Sequence, residues 1–331
     1  MNTPSVHTVR PVVTVTANPA IDRLLTLDAP LERGGVVRTQ TPSDQPGGKG
    51  VNVARVVAAA SQPVTAVFPA PEHDSFVTAV RESGLDHVAV PTSSRVRVNL
   101  TLAEADGTTT KLNAPGAALT DDELATFTRT VLETSVGASW VALCGSLPPG
   151  LWACWYRDVT AQLRALGARV AVDTSGDALT EVLADTAAAP DLVKPNAAEL
   201  VDLLGGAHDA DAVEADPRLA GRLAQHLRTE RGPATVLLTL GAAGAVLATD
   251  TGTWFAPSPP IRPLSTVGAG DAALAGYLLA DAAGAEAPAA LVSAVLHGSA
   301  AAGLPGSTPP HPSDVAALEA TFARDLQSPT T

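Results

Sequence analysis

The segment Ser-Thr-Val-Gly-Ala-Gly-Asp at 265–271, followed by AALAGYLLADAA at 272–283, is the most informative stretch of this sequence. Two glycines precede an apolar run, which predicts a tight turn that leads directly into a helix. The backbone amides of residues 268–271 should then point outward at a helix N-terminus, where unpaired N–H groups and the helix dipole attract an anion. Asp271 would lie in the first helical turn beside that anion. The plainer alternative is that Asp271 only caps the helix.

Outward from this segment, apolar strands alternate with helices along most of the chain. We expect strands at 11–18, 63–69, 138–145, 168–175, 190–196 and 234–241. We expect helices at 51–60, 121–134, 151–166, 176–187, 196–205 and 217–231. Near-continuous apolar strands separated by helices indicate an α/β fold, with a parallel sheet covered on both faces. We interpret 8–325 as a single domain and 326–331 as a flexible tail.

Two stretches interrupt this alternation, at 22–42 and 95–113. Polar and apolar residues alternate in both, and Asp106-Gly107 is a turn signal in the second. They predict a small antiparallel sheet inserted into the core as a lid. Arg97 and Asn99 should face the same side of it, because alternate residues of a strand share a face.

Composition excludes several classes of protein. The 331 residues include 21 Lys+Arg and 34 Asp+Glu, a formal net charge of −13, which argues against nucleic-acid and membrane partners. Aromatic residues are only 3%, too few for a base-stacking platform. Apolar runs are too short to span a bilayer, and the N-terminus lacks a signal-peptide pattern, so we expect a cytoplasmic protein. Lysine occurs only at Lys49, Lys111 and Lys194, so each lysine is a candidate anion ligand.

A second glycine loop, Gly47-Gly-Lys-Gly-Val-Asn52, also leads into a helix. Its spacing differs from that of a Walker A loop. The glycines let a ligand approach the backbone, while Lys49 and Asn52 project a cation and an amide. The alternative is an ordinary turn before a helix.

A third cluster, Lys194-Pro-Asn196-Ala-Ala-Glu199, joins a strand to a helix. Asn196 and Glu199 share one helical face and offer two oxygens to the water shell of Mg²⁺. The spacing alone favours the alternative, an N-cap Asn with a capping-box Glu. A fourth segment, Thr239 to Gly244, is a glycine turn between two strands, and its alternative is an ordinary hairpin.

Polar residues also follow the first strand, in Asn18-Pro-Ala-Ile-Asp22. The carboxylate of Asp22 could accept hydrogen bonds from sugar hydroxyls. Arg97, in the inserted sheet, could bind a phosphate through its forked guanidinium. The alternative for Arg97 is a solvated strand face.

Together these segments resemble the PfkB-type sugar kinases of the ribokinase superfamily, in the 1-phosphofructokinase and tagatose-6-phosphate kinase branch. The matching pieces are TANPAID (16–22), PGGKGVNVARV (46–56), RVNLTL (97–102), GSLPPG (145–150), KPNAAEL (194–200), TLGAAGA (239–245) and STVGAGDAALAG (265–276). The resemblance implies a three-layer α/β/α core with a mainly parallel sheet and a small β-sheet lid. It also implies a homodimer formed through the lid strands.

The resemblance assigns a role to each matching position. Asp271 corresponds to the general base, and Gly268, Ala269 and Gly270 to the anion hole for the transferring phosphoryl group. The sugar-phosphate contacts are Asp22, Gly48, Lys49, Asn52, Arg97 and Ser146. The ATP contacts are Lys194, Asn196, Thr239, Gly241, Gly244 and Gly270. Asn196 and Glu199 correspond to the magnesium region, where they act through water.

The activity implied by the resemblance is ATP- and Mg²⁺-dependent phosphorylation of a ketohexose phosphate, in fructose metabolism and glycolysis. Fructose 1-phosphate, converted to fructose 1,6-bisphosphate, is the expected substrate; tagatose 6-phosphate and fructose 6-phosphate are the alternatives. One position departs from the branch, because Lys111-Leu-Asn-Ala-Pro-Gly116 has Ala114 where glutamate is common. A kinase-like fold can also serve as a sugar or nucleotide sensor without turnover.

Overall fold

The computed structural model describes residues 10–106 and 108–322 of the chain. Its strands are β1 (Val12–Thr16), β2 (Ala20–Thr26), β3 (Ser43–Gly47), β4 (Val64–Pro69), β5 (His87–Val90), β6 (Arg97–Ala103), β7 (Thr109–Leu112), β8 (Trp140–Cys144), β9 (Val170–Asp173), β10 (Leu192–Val193), β11 (Thr235–Thr239), β12 (Gly244–Ala248) and β13 (Thr253–Pro257). Its helices are α1 (Lys49–Ala59), α2 (Ser75–Glu82), α3 (Asp121–Thr134), α4 (Trp155–Ala165), α5 (Gly176–Val182), α6 (Ala197–Leu203), α7 (Ala210–Ala215), α8 (Pro217–Arg231), α9 (Ala269–Ala282), α10 (Ala287–Ala302) and α11 (Pro312–Phe322).

Within the described residues, nine strands form one large sheet in the order β13-β12-β11-β10-β9-β8-β1-β4-β5. The strands from β11 to β5 pair in parallel, while β12 and β13 continue the sheet antiparallel at one edge. Both faces are buried, because successive strand residues such as Val12 and Val13 enter two different apolar clusters. Helices α1, α2, α9 and α10 cover one face, and α3 to α8 cover the other. The expected three-layer α/β/α architecture is confirmed.

The most apolar helices, α9 and α10, pack against each other and against the large sheet. Their apolar residues are therefore part of the core. Among the residues that the structure describes, no helix is long and apolar enough to cross a membrane.

The small sheet, in the order β3-β2-β6-β7, occupies the region of the expected lid. Its outer pairs are antiparallel, but the central pair β2 and β6 is parallel, so the expectation of an antiparallel sheet was wrong. The physical reason is topological. Strands β1 and β5 run in the same direction in the large sheet, and β2 follows β1 as β6 follows β5. Strands β2 and β6 therefore both leave from the carboxyl edge of the large sheet and run in parallel.

The bounds of the small sheet also differ from the expected insertions. Strand β2 begins before residue 22, and β3 lies after residue 42, because residues 27–42 form an irregular excursion with a single bridge between Leu27 and Thr39. The turn residue Gly107 and the tail at 326–331 lie outside the described residues.

Candidate active site

The candidate site lies at the carboxyl edge of the large sheet. Strand β9 ends at Asp173, Lys194 follows β10, and Gly145 follows β8. The N-termini of α1 and α9 reach the same edge, because Lys49 of α1 contacts Asp173 and Gly270 of α9 lies next to Lys194. In open parallel sheets, ligands bind in the crevice outside the carboxyl ends of the strands.

Helix α9 begins as the glycine segment predicts. Gly268 is its N-cap residue, with φ 78°, a left-handed conformation that suits glycine. The amide of Ala269 donates to the carbonyl of Thr266 at 3.4 Å, so it is partly committed to the turn. The amides of Gly270 and Asp271 are in the first turn, where an α-helix has no acceptor for them. A Cβ on Gly270 would lie 3.4 Å from Lys194 Nζ, which places a cation beside these amides.

Asp271 is buried, with 6% of its surface exposed, and its carboxylate accepts a hydrogen bond from Asn52 Nδ2 at 2.8 Å. Within the part of the chain that the structure describes, no side chain caps α9, so the alternative that Asp271 caps its own helix does not hold. Burial raises the pKa of Asp271, the charge of Asp173 adds to the rise, and Lys49 opposes it. The carboxylate is therefore a stronger proton acceptor than an exposed aspartate.

Asp173 is completely buried and lies between two lysines. Its Oδ1 accepts from Lys49 Nζ at 2.8 Å, and its Oδ2 is 3.1 Å from Lys194 Nζ. Burial raises the pKa of Asp173, but the two lysines outweigh this effect and hold it below its ordinary value. Sequence reasoning missed Asp173, although its position at the end of a buried strand, level with Lys194 on the next strand, was a usable signal.

Asp22 lies on β2 directly opposite Asn99 on β6, and accepts from Asn99 Nδ2 at 3.0 Å. Its carboxylate is close to the backbone of β3: a Cβ on Gly47 would lie 2.1 Å from Asp22 Oδ2, so a larger residue there would displace this side chain. Burial raises the pKa of Asp22, and Asn99 and the nearby cations Arg97, Arg55 and Lys111 oppose that rise. Three basic residues thus lie within electrostatic range of one half-buried carboxylate.

The Arg97 guanidinium is half-buried and partly committed to the backbone. It donates to the carbonyls of Ala114 at 2.7 Å and Asn18 at 3.1 Å, while its Nε has no hydrogen-bond partner among the described residues. Asn18 in turn donates to the Pro115 carbonyl at 3.0 Å and to Ser146 Oγ at 3.3 Å. These contacts join the small sheet to the loop after β8, and they bring Ser146 close to Asn18.

The residues that the sequence assigns to nucleotide binding meet at the ends of β10 and β11. Asn196 forms an isolated bridge with Thr239, and the Thr239 amide donates to the Pro195 carbonyl at 3.1 Å. The turn after Thr239 leads into β12 at Gly244, where a Cβ would lie 2.1 Å from the Ala256 carbonyl oxygen. The glycine turn between two strands is therefore present.

Asn196 and Glu199 form a capping box at the start of α6. The Glu199 amide donates to Asn196 Oδ1 at 2.8 Å, and the Asn196 amide donates to Glu199 Oε2 at 2.9 Å. The N-cap Asn with a capping-box Glu, which their spacing favours, is thus observed. The charge of Glu199 also acts on Lys49, so this carboxylate is within electrostatic range of the candidate site.

Comparisons with known proteins agree with this geometry. The model of the pfkB family carbohydrate kinases matches residues 15–314. A 1-phosphofructokinase of Haloferax volcanii is 35% identical over 308 residues, 92% of this chain and 95% of that protein. A 1-phosphofructokinase of Rhodobacter capsulatus is 37% identical over 272 residues, 81% of this chain and 82% of that protein.

A solved structure of phosphofructokinase-2 from Escherichia coli, in complex with substrates and products, superimposes with a TM-score of 0.86 at 30% identity. The match covers 95% of this chain and 99% of that chain. Sequence, fold and the geometry of the carboxyl edge agree: this chain belongs to the pfkB family of carbohydrate kinases.

Proposed function

We propose that this chain transfers the γ-phosphoryl group of ATP to the 6-hydroxyl of fructose 1-phosphate, giving fructose 1,6-bisphosphate and ADP. The observation that carries the proposal is the placement of Asp271. Its carboxylate is buried at the start of α9, held by Asn52, with the ammonium groups of Lys49 and Lys194 close by. A base, free amides and two cations in one crevice suit phosphoryl transfer, in which positioning and electrostatics supply most of the catalysis.

The chemistry assigned to these groups is an in-line displacement. The 6-hydroxyl oxygen of the sugar attacks the γ-phosphorus, and its proton passes to the carboxylate of Asp271 as the new bond forms. The bond from the γ-phosphorus to the β–γ bridging oxygen breaks, and ADP leaves. The amides of Gly268, Gly270 and Asp271 stabilise the charge on the transferring group, and Ala269 completes the loop. One such donor is typically worth about 2.7–4 kcal/mol of transition-state stabilisation.

The sugar phosphate is assigned to the small sheet. Asp22 and Asn99 offer oxygen and nitrogen atoms to hydroxyl groups, and Gly48 and Asn52 lie at the start of α1, between the small sheet and Asp271. Arg97, Arg55 and Lys111 surround Asp22 with positive charge, an arrangement suited to a phosphorylated rather than a neutral sugar. The names of the relatives favour fructose 1-phosphate over fructose 6-phosphate and tagatose 6-phosphate.

ATP is assigned to Lys194, Asn196 and the loop from Thr239 through Gly241 to Gly244. The donor set also fits Mg²⁺: the capping box uses one carboxylate oxygen of Glu199, leaving Oε1 for the water shell of the metal. When bound, Mg²⁺ neutralises charge on the phosphates. ATP as donor is consistent with a cytoplasmic site of action.

The small sheet is also the proposed dimer interface. Val98 and Leu112 lie on the face of the small sheet opposite Asp22 and Asn99. Val98 precedes Asn99 on β6 and so points to the other face, and Leu112 on β7 pairs with Leu100, which shares the face of Val98. Val98 is 37% exposed and Leu112 is 53% exposed. A second copy of the chain would cover this apolar face, as isolated small sheets need.

ADP release with a panel of sugars tests the function. We expect the highest kcat/KM with fructose 1-phosphate, a lower value with fructose 6-phosphate or tagatose 6-phosphate, and little turnover with free fructose. Binding of ATP and sugar phosphate without ADP release would instead favour the non-catalytic sensor and overturn the proposal.

A further inference from the structure

One buried carboxylate of the site, that of Asp173, has no role in the reaction proposed above. Asp173 is completely buried, and Lys194, which it contacts, is only 3% exposed. A buried charge is costly unless it is paired, and Asp173 is paired with two lysines. The two lysines come from opposite sides of the site: Lys49 from the glycine loop at the start of α1, and Lys194 from the end of β10.

The carboxylate of Asp173 divides its two oxygens between these lysines. Oδ1 accepts from Lys49 at 2.8 Å, and Oδ2 is 3.1 Å from Lys194. A lysine side chain is flexible and carries a point charge, so its position depends on what holds it. Lys194 is thereby held beside Gly270 at the start of α9, and Lys49 is held where it attracts both Asp173 and Asp271.

The same carboxylate affects the proposed base. Asp271 is faced by Lys49 and Asn52 from α1, by Asp173 from β9, by Lys194 from the end of β10 and by the thiol of Cys144 from β8. Without Asp173, the ammonium of Lys49 would be free to pair with Asp271 and would compete for the lone pair that accepts the proton. With Asp173 present, Asp271 keeps its hydrogen bond from Asn52.

We propose that Asp173 is a positioning residue for phosphoryl transfer, which holds Lys49 and Lys194 together at the anion cradle and keeps Lys49 from pairing with Asp271. It acts through these three side chains, and no contact with substrate is assigned to it. The inference rests on the proposed kinase function and adds to it a residue that couples the sugar-side and nucleotide-side cations.

The test is the acid limb of the pH profile of kcat/KM for fructose 1-phosphate. Asp173→Asn removes a negative charge that raises the pKa of Asp271, so the base stays ionised to lower pH and the acid limb moves down. Lys49→Met removes a cation that lowers the pKa of Asp271, so the acid limb moves up. Ionisation of the substrate phosphate is common to all variants, so differences between profiles report the enzyme.

The size of the loss provides a second readout. Displaced lysines should lower kcat of Asp173→Asn by about 10²-fold, as expected for misplaced groups in an active site. The double variant Asp173→Asn/Lys49→Met should lose little more kcat than the more impaired single variant, because the two residues act as a unit. Asp173→Glu keeps the charge, so its acid limb should coincide with that of the wild type even though kcat falls.

Asp281→Asn is the matched control. Asp281 lies at the other end of α9, where it accepts from Trp140 Nε1 at 2.8 Å and from Arg169 at 3.0 Å. Its loss should lower the melting temperature and leave the pH profile in place. An Asp173→Asn profile that coincides with the wild type would overturn the inference, as would Lys49→Met and Asp173→Asn limbs that move in the same direction.

If Asp173→Asn does not fold, Lys49→Met and Asp173→Glu decide alone, since Lys49 is partly exposed and its replacement leaves the core intact. The inference then requires that the acid limb of Lys49→Met moves to higher pH and that the acid limb of Asp173→Glu stays in place. Any other result overturns it. A wild-type protein without turnover would overturn the proposed function itself, whereas an active wild type with unmoved limbs would overturn only the role of Asp173.

Discussion

Asn52 donates from Nδ2 to a carboxylate oxygen of Asp271 at 2.8 Å, although the two residues are 219 positions apart in the chain. The bond joins the first turn of α1 to the first turn of α9, and both side chains are buried. The hydrogen bond holds the carboxylate against α1 rather than against the first amides of its own helix. The orientation of the proposed base therefore depends on the second glycine loop as well as on the first.

Replacement of the base is the first test of this arrangement. Asp271→Asn should lower kcat by about 10²–10⁴-fold, because an amide cannot accept the proton of the sugar hydroxyl. The KM for ATP should stay within a few-fold of the wild-type value. The control is Asp281→Asn, the same substitution at the far end of α9, and both variants are measured by steady-state kinetics. Near-normal turnover would reduce Asp271 to a structural residue.

Arg97 is expected to determine the affinity for the phosphorylated sugar. Arg97→Ala should raise KM for fructose 1-phosphate by about 10- to 100-fold, since a hydrogen bond to a charged group contributes about 1.5–3 kcal/mol. The KM for ATP should change far less. Arg81→Ala, an exposed arginine on α2, is the control and should alter neither value. If free fructose is used as well as the phosphorylated form, the phosphate assignment is wrong.

Glu199 offers a test of the magnesium assignment that spares the helix cap. In Glu199→Gln the side-chain carbonyl can still accept from the Asn196 amide, so the capping box and the melting temperature should be preserved. The charge is lost, and the Mg²⁺ concentration for half-maximal activity should rise about 10- to 100-fold. Glu230→Gln on the exposed face of α8 is the control. An unchanged Mg²⁺ requirement would remove Glu199 from the metal region.

The apolar outer face of the small sheet predicts the state of assembly. Light scattering of the wild type at micromolar concentration should give twice the chain mass of 33.4 kDa. Val98→Glu should give a monomer with weakened sugar binding and largely intact ATP binding. Val136→Glu changes another exposed valine, outside the small sheet, and should leave the mass unchanged. A wild-type mass near that of one chain would contradict the dimer.

Most parallel strands of the large sheet were predictable from the sequence because they are buried on both faces and read as apolar runs, whereas the half-buried edge strand β5 was not expected. The starts of α1 and α9 were also predictable, since a glycine turn followed by an apolar helix has a local sequence pattern. Strand β10 is shorter than expected: the segment at 190–196 predicted a strand, but only Leu192–Val193 pairs continuously. Pro195 has no N–H to donate, and pairing resumes only as an isolated bridge between Asn196 and Thr239.

The features that the sequence could not predict depend on pairing between distant segments. The parallel pairing of β2 and β6 follows from where β1 and β5 end, which no alternation of polar residues encodes. The strand end at Asp173 was a usable signal, but its contacts with Lys49, 124 positions upstream, and with Lys194, after the next strand, appear only in the fold. The capping box at Asn196 and Glu199 shows that residues in a helix cap can also lie within electrostatic range of the site.

Product analysis by phosphorus NMR tests the central claim most directly. Wild-type protein incubated with ATP, Mg²⁺ and fructose 1-phosphate should yield fructose 1,6-bisphosphate and ADP in equal amounts, with the new phosphate on the 6-hydroxyl. Asp271→Asn should yield neither at a comparable rate. The claim would be contradicted if ATP were consumed without a new sugar phosphate, or if fructose 6-phosphate were converted with a higher kcat/KM than fructose 1-phosphate.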